Sequence, residues 1–424
     1  MPNALSQPAD TSTSAHLRGP LAWLRSQALA KEYWIFFCVA LFFDAGFAIY
    51  FFLFNLFLLD AHTTERAIGL INGAFTLGST LATLPAGALG RRIGVKPLLL
   101  VCILTASLLG AARIVFLGTT PQIVLGFLAG ASMSLWGIAY LPAVARLTND
   151  QNRASAYSLI FCASIVTSAI GGAVTGYLPR WLTHFAILRS ELVMHRWILL
   201  ASCLIGVLAI IPAARLRLQP GKTTDEEQAG ILTGFRLTPF LLRFLPCMAL
   251  WTACMGAFLP FANIYLVRQN FVPMQKIGLV FSPGQCLQLF LGLMTPAVIR
   301  ALGLLRGILA MQLVAVSCLC GLALSHSGPV AILLYLLFST AHWMCSPALY
   351  NLLMSEVNDA QRSHAAAMVM FLNALLSSLT VTLAGASFSR FGYAIPLGVI
   401  ACAGVIVAVS LFRLVSPYMR QEYP

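Results

Sequence analysis

Asp44 stands in the middle of an apolar run, with Val39-Ala40-Leu41-Phe42-Phe43 before it and Ala45-Gly46-Phe47 after it. A lone carboxylate in such a setting is costly when ionised unless it is paired, hydrated or protonated. That makes Asp44 a candidate to carry a proton or hold a cation. The competing reading is a structural carboxylate bonded to a neighbouring helix. His342 is the second proton-handling candidate, because imidazole titrates near neutral pH; a histidine satisfied by its surroundings is the alternative. Arg113 lies deeper in an apolar run than any other Lys or Arg, and it is either the partner of Asp44 or a side chain that snorkels to the nearer interface.

The elements that carry these residues follow from composition. With 59% hydrophobic and 9% charged residues over 424 positions, and a mean hydropathy of +0.86, no water-soluble interior is large enough for the apolar side chains. Lipid must solvate much of the surface. Runs of roughly 20 apolar residues, enough to cross a ~30 Å hydrocarbon layer, lie near 34–59, 66–90, 97–118, 121–145, 154–179 and 195–214. Six more lie near 240–266, 273–299, 303–325, 328–355, 363–388 and 391–415. These are spans 1 to 12. They are helices, since isolated strands leave backbone groups unpaired in lipid and no alternating pattern suggests a barrel. Asp44 lies about ten residues into span 1, close to the bilayer midplane.

The chain repeats itself. Ile68-Gly69-Leu70 recurs as Ile277-Gly278-Leu279, and Asn149-Asp150 with Arg153 recurs as Asn358-Asp359 with Arg362, both 209 residues later. The same shift carries Arg91 onto Arg300 and Gly94 onto Gly303. An internal duplication of six spans predicts an all-α integral membrane protein whose twelve transmembrane helices form two pseudo-symmetric six-helix bundles. The expected organisation is a polar tail with a short interfacial helix or a disordered segment over 1–32, a first bundle over 33–214, a linker over 215–238, a second bundle over 239–415 and a tail over 416–424.

The formal charge of +13 reads as topology. An even span count puts both termini on one side, and 18 of the 26 Lys and Arg residues fall on that side. By the positive-inside rule this side is cytoplasmic, and a nucleic-acid partner is excluded. The eleven cysteines all fall within spans and read as packing residues, not as disulfides or metal ligands.

Between spans 2 and 3, Gly87-Ala88-Leu89-Gly90-Arg91-Arg92-Ile93-Gly94-Val95-Lys96 resembles the Gly-x-Leu-x-Asp-Arg-x-Gly-Arg-Lys loop of the major facilitator superfamily at Gly87, Leu89, Arg92, Gly94 and Lys96. The resemblance covers roughly residues 33–415. It implies a gating-loop motif at Gly87, Arg91, Arg92, Gly94 and Lys96, with Arg300 and Gly303 as its echo. The chain departs from the pattern where the family has an acid, because Arg91 stands there. Two signatures of drug exporters are also missing. Span 4 reads Gly126-Phe127-Leu128-Ala129-Gly130 without the exporters' arginine, and span 5 carries a ladder of Ser164, Ser168, Gly172 and Gly176 in place of their Gly-Pro motif. The ladder reads as close helix packing.

In that family spans 1, 4, 7 and 10 line the central cavity, and here they carry the unusual polar and aromatic residues. Asp44, Phe47, Phe51 and Asn55 share one face of span 1. Span 4 offers Trp136 and Tyr140, span 7 offers Trp251, Phe258 and Asn263, and span 10 offers Tyr335, His342, Trp343 and Tyr350. Any one aromatic is more often packing than ligand contact; together they suggest a cavity for an amphipathic organic molecule. Pro283-Gly284 and Pro347 are expected kinks. With no phosphate-binding loop and no His-Glu-x-x-His, the chain is read as a transporter, not an enzyme, with no cofactor. Its expected partners are a small-molecule substrate, a proton or other ion gradient and membrane lipid. A monomer in a bacterial inner membrane, with both termini cytoplasmic, is the expected setting. Efflux of a toxic compound and a non-transporting receptor on the same scaffold are the alternatives.

Overall fold

The structure is a computed structural model that describes residues 29–148, 153–184, 190–218, 238–273, 359–419 and, apart from 285, 289 and 293, residues 284–357. The tail residues Leu21 to Leu24, most of the linker, Asn149 to Asn152 and Pro283 lie outside the described residues, as do the side chains of Arg91, Arg153 and Arg362.

The described chain is helical throughout. In the first half, α1 is Lys31–Asp60, α2 Glu65–Ile93, α3 Val95–Val115, α4 Thr119–Leu147, α5 Arg153–His184, α6 Glu191–Leu208 and α7 Ile210–Arg215. In the second half, α8 is Pro239–Gly256, α9 Ala262–Arg268, α10 Thr295–Leu302, α11 Leu304–Leu324, α12 Gly328–Glu356, α13 Asp359–Phe391 and α14 Ala394–Met419. Capping follows local chemistry. The Thr64 hydroxyl accepts from the Ala67 N–H at 3.3 Å to start α2, and Thr238 accepts from Leu241 N–H at 3.3 Å to start α8, with Pro239 behind it.

Ten segments among the described residues have the length and apolar character to cross a membrane. They correspond to ten of the twelve expected spans. Helix α2 has the length, 29 residues, but carries polar residues along it, and the span before α10 lies mostly outside the described residues. Large apolar side chains point outward along these helices, among them Leu204, Leu383 and Ile406, each more than 60% exposed. In a bilayer they meet acyl chains.

The duplication is visible in the helices themselves. Helices α3 and α11 are both 21 residues long, and α4 and α12 both 29, each pair starting and ending 209 residues apart. Packing repeats as well. Helix α1 packs on α5 and α6, and α3 on α4 and α6; correspondingly α8 packs on α13 and α14, and α11 on α12 and α14. Gly94 and Gly303, one between α2 and α3 and the other between α10 and α11, have φ of 86° and 80°. That backbone is strained for any residue with a Cβ, so each glycine ends one helix and turns the chain at once into the next.

Two prolines test helical regularity, and one of them breaks it. Span 7 is interrupted, because Pro260 has no N–H to give the Gly256 carbonyl and α8 passes through a short 3₁₀ turn, Leu259–Phe261, before α9 begins. Pro347 sits within α12, which stays α-helical through it.

Candidate functional site

Asp44 lies roughly 20 Å along α1 from either end, at ~1.5 Å per residue. Its carboxylate is partly exposed and accepts a hydrogen bond from the Ser164 hydroxyl of α5. Among the described residues it makes no ion pair. Ser164 belongs to the ladder read as packing, and α5 lies close to α1 one residue off that ladder. A Cβ on Gly171 would lie 3.2 Å from Ala48. One rung is therefore also the partner of the carboxylate.

Arg113 is neither that partner nor a snorkelling residue. It is 2% exposed, with its guanidinium 4.1 Å over the Phe54 ring. Its Nε donates to Gln122 Oε1 at 3.4 Å, while Gln122 Nε2 donates to the Arg113 and Phe116 carbonyls. Gln122 thus closes the end of α3 onto the start of α4 and holds the cation inside the first half.

The aromatic candidates separate into two clusters. In the first half Trp136 stacks on Phe43, centroids 4.3 Å apart, and contacts Tyr140, which also meets Phe36. In the second half His342 stacks parallel to Phe338 at 6.3 Å and lies 6.5 Å from Trp251. The Trp251 indole N–H and His342 Nδ1 are buried without a hydrogen-bond partner among the described residues. Phe258 is fully buried against Tyr335 and Phe388. The remaining candidates are placed differently. Trp343 is 55% exposed and outside the cluster, Phe51 is 44% exposed beside Phe75, and Tyr350 is half-buried against the core.

Asn55 and Asn263 serve the contact between the halves. Asn55 Nδ2 donates to the Pro260 carbonyl at 2.8 Å, and Asn263 Nδ2 donates to the Phe52 carbonyl at 3.3 Å. Asn72 Nδ2 supports Asn55 through its Oδ1, and Asn263 Oδ1 accepts the Ile264 N–H. At the same end Glu65 Oε1 accepts from Arg268 Nη1 at 3.0 Å and from the Tyr393 hydroxyl at 3.1 Å. Burial, with the Glu65 carboxylate beside it, pushes the Tyr393 phenol up, so it remains a donor. The backbones of α2 and α13 meet here without side chains between them: a Cβ on Gly69 would fall 2.9 Å from Gly385 Cα, and Ser378 donates to the Gly73 carbonyl at 2.7 Å. Asn55, Asn263, Glu65, Arg268 and Tyr393 sit where α1 and span 7 end, α2 begins and α13 gives way to α14, the end opposite the first residue of α1, while Gly73 and Ser378 carry the α2–α13 contact deeper. The halves are latched at that end.

The turn between α2 and α3 has its own anchor. Lys96 Nζ donates to the Ala214 carbonyl at 2.7 Å, at the C-terminus of α7, where a cation also meets the negative end of the helix. Arg92 and Arg300 are exposed, and Gly87 lies within α2. With an arginine in place of the acid, the loop is held within its own half by a lysine.

A duplicated helical bundle, glycine-turned loops and a latch between halves are features of one large group of proteins, and the sequence profile of the Major Facilitator Superfamily matches residues 35–381. The chain belongs to the Major Facilitator Superfamily. No curated protein sequence matches it. Solved structures do. A point mutant of the nucleoside transporter NupG superposes with a TM-score of 0.79 at 13% identity, covering 91% of this chain and 100% of that one. A D-xylose–proton symporter gives 0.70 at 15% identity over 90% and 97% of the two chains. A bacterial homologue of the human lysosomal transporter Spinster, solved inward-facing and unoccupied, gives 0.70 at 15% over 92% and 98%. At such identities the likeness establishes the superfamily fold. This major facilitator is an integral multi-pass membrane transporter, not an enzyme.

Three features of this site escape the sequence reading. Ser164 looks like one more small residue in a packing ladder. Glu65, Arg268 and Tyr393 lie 203 and 328 residues apart from Glu65 in sequence and share no repeat register. Asp60, whose Oδ2 lies 2.6 Å from Nδ1 of the buried His195, sits at the very end of α1, where a carboxylate usually reads as a solvated cap. Its one signal is that His195 stands at the head of the apolar run of span 6.

Proposed function

We propose that this major facilitator is a proton-coupled secondary transporter of a small organic, amphipathic solute, working by alternating access. The observation that carries the reading is Asp44: a carboxylate at mid-span, partly accessible, held by a neutral hydroxyl and free of any ion pair among the described residues. Such a group can exchange a proton without first breaking a salt bridge. The Trp136 cluster and the Trp251–His342 cluster supply stacking surface and unsatisfied polar atoms at a similar depth, which suits a ligand with an apolar body and a few polar groups. The structural relatives named for a nucleoside and for D-xylose with a proton carry cargo of this size.

In this reading the halves 33–214 and 239–415 rock about the site, the segment 215–238 links them on the cytoplasmic side, and both termini are cytoplasmic in a plasma membrane. His342 is the second proton-handling residue. Trp136 and Tyr140 form the accessible part of the binding surface, Trp251, Phe258 and Tyr335, buried in this state, join it as the halves rock, and the loops around Gly94 and Gly303 govern the cytoplasmic gate.

The test is Asp44→Asn in proteoliposomes, using a ligand found by thermal-shift screening of metabolites at two pH values. Accumulation driven by a pH gradient should be abolished while exchange between equal concentrations persists, because exchange needs no net proton movement. Accumulation at the wild-type rate would make Asp44 structural and transfer the role to His342.

A further inference from the structure

At the end of the molecule opposite the latch, α1 and α7 enclose an open groove of about 710 Å³. Its mouth holds Lys31, Arg215 and Arg217, three cations against one carboxylate, Glu32. That carboxylate is already engaged, since its Oε2 accepts the Arg217 backbone N–H at 3.0 Å. Below the cations the walls change character in a fixed order. On α1, Trp34 follows Lys31 by one turn, Cys38 by two and Phe42 by three, all on one face. From Lys31 to Phe42 that face descends ~16 Å, from the level of headgroups to about the middle of the hydrocarbon layer. On the opposite wall Ile211 lies under Arg215. Phe42 and Ile211 are 39% and 53% exposed, so the lower groove is open to the bilayer.

A soluble anion would use only the cationic mouth, and an acyl chain alone only the walls. One ligand class matches both: negative headgroup, interfacial glycerol backbone beside an indole, and apolar chains beneath. We propose that the groove between α1 and α7 binds an anionic phospholipid, headgroup phosphate among Lys31, Arg215 and Arg217 and one acyl chain along Cys38 and Phe42. Basic clusters beside transmembrane helices attract anionic headgroups with an energy that adds up per cation, and indole side chains favour the interface. The site lies on the outer side of the first half. A lipid held there bridges the start of span 1 to the end of span 6, and it does not depend on what the transporter carries.

The test uses the purified full-length protein in neutral detergent, titrated separately with phosphatidylglycerol, phosphatidylcholine and glycerol phosphate. Retained adducts are counted by native mass spectrometry and the unfolding temperature is followed. Phosphatidylglycerol should bind and raise the unfolding temperature, whereas phosphatidylcholine and glycerol phosphate should do neither. The pair Arg215→Gln and Arg217→Gln should weaken phosphatidylglycerol binding about fivefold per charge removed. Arg413→Gln, an exposed change at the end of α14, should leave binding unchanged. Should the double variant fold poorly, the exposed Lys31→Gln carries the same expectation for one charge. An equal response to phosphatidylcholine, a response to glycerol phosphate alone, or undiminished binding in the arginine and lysine variants would overturn the proposal.

Discussion

Glu65 at the start of α2 and Arg268 at the end of α9 meet at 3.0 Å, joining residues from opposite halves of a duplicated chain. Glu65 is buried while Arg268 is half-exposed, so the two ends of the bond are unequal. The cation retains most of its hydration and the carboxylate does not. Loss of Arg268 therefore costs more than an exposed pair is worth, because Glu65 stays behind with Tyr393 alone.

The first prediction concerns that pair. Arg268→Gln should destabilise the latched state by about 1–2 kcal/mol, and Glu65→Gln/Arg268→Gln together by less than the sum of the single changes, with a coupling of roughly 0.5–1 kcal/mol. Thermal unfolding of the four proteins measures it. Strict additivity would show that the contact carries no latch energy.

A second prediction concerns pH. Burial and Glu65 raise the Tyr393 phenol above its ordinary value of 10.0. A raised acid of this kind contributes stability that is complete below the ordinary value and is lost progressively as pH rises from there to the folded one. The cost of Tyr393→Phe should thus be the same at pH 6 and pH 9. A cost that disappears by pH 9 would mean that the phenol ionises in the folded protein.

Close approach of α2 and α13 gives a third. A Cβ at position 385 would stand 2.6 Å from the Glu65 carbonyl, a contact that only backbone movement relieves. Gly385→Val should lower stability by roughly 1–3 kcal/mol and shift the protein away from the latched arrangement. Cysteine labelling at Asn72 by an impermeant reagent should then increase. An unchanged labelling rate would show that the two helices can separate locally without parting the halves.

What the sequence reveals and what it hides divides along the range of the interactions. Apolar runs are local, so spans 1 and 9 are readable to within a few residues. A glycine forced to positive φ must recur wherever the same turn recurs, so the 209-residue echo of Gly94 in Gly303 survives into the backbone. Partnerships are different. Nothing near Asp44 in the chain announces Ser164, because side chains 120 residues apart meet only after α1 and α5 pack; Gln122 is only nine residues from Arg113, yet its bracket depends on how the chain turns between α3 and α4. Asn55 shared a helical face with Asp44 and was grouped with it; the break at Pro260 brings a carbonyl to Asn55 from the other half and gives it a different task. The exposed position of Trp343 beside buried His342 likewise depends on which face α12 turns to its neighbours.

Pro260 sets one further consequence. Its carbonyl takes its hydrogen bond from Asn55 across the divide, and the Phe52 carbonyl is met by Asn263 in return. Parting of the halves at this end would break both crossing bonds; the Phe52 carbonyl lies within α1 and keeps the helix's own bonding, while the Pro260 carbonyl, in an apolar setting, must find a new donor. Water is the donor at hand. Opening that end would therefore be a hydration step as much as a mechanical one, its equilibrium tied to the activity of the solvent: osmolytes excluded from protein surfaces, which oppose the uptake of water into a newly exposed cleft, should favour the latched end.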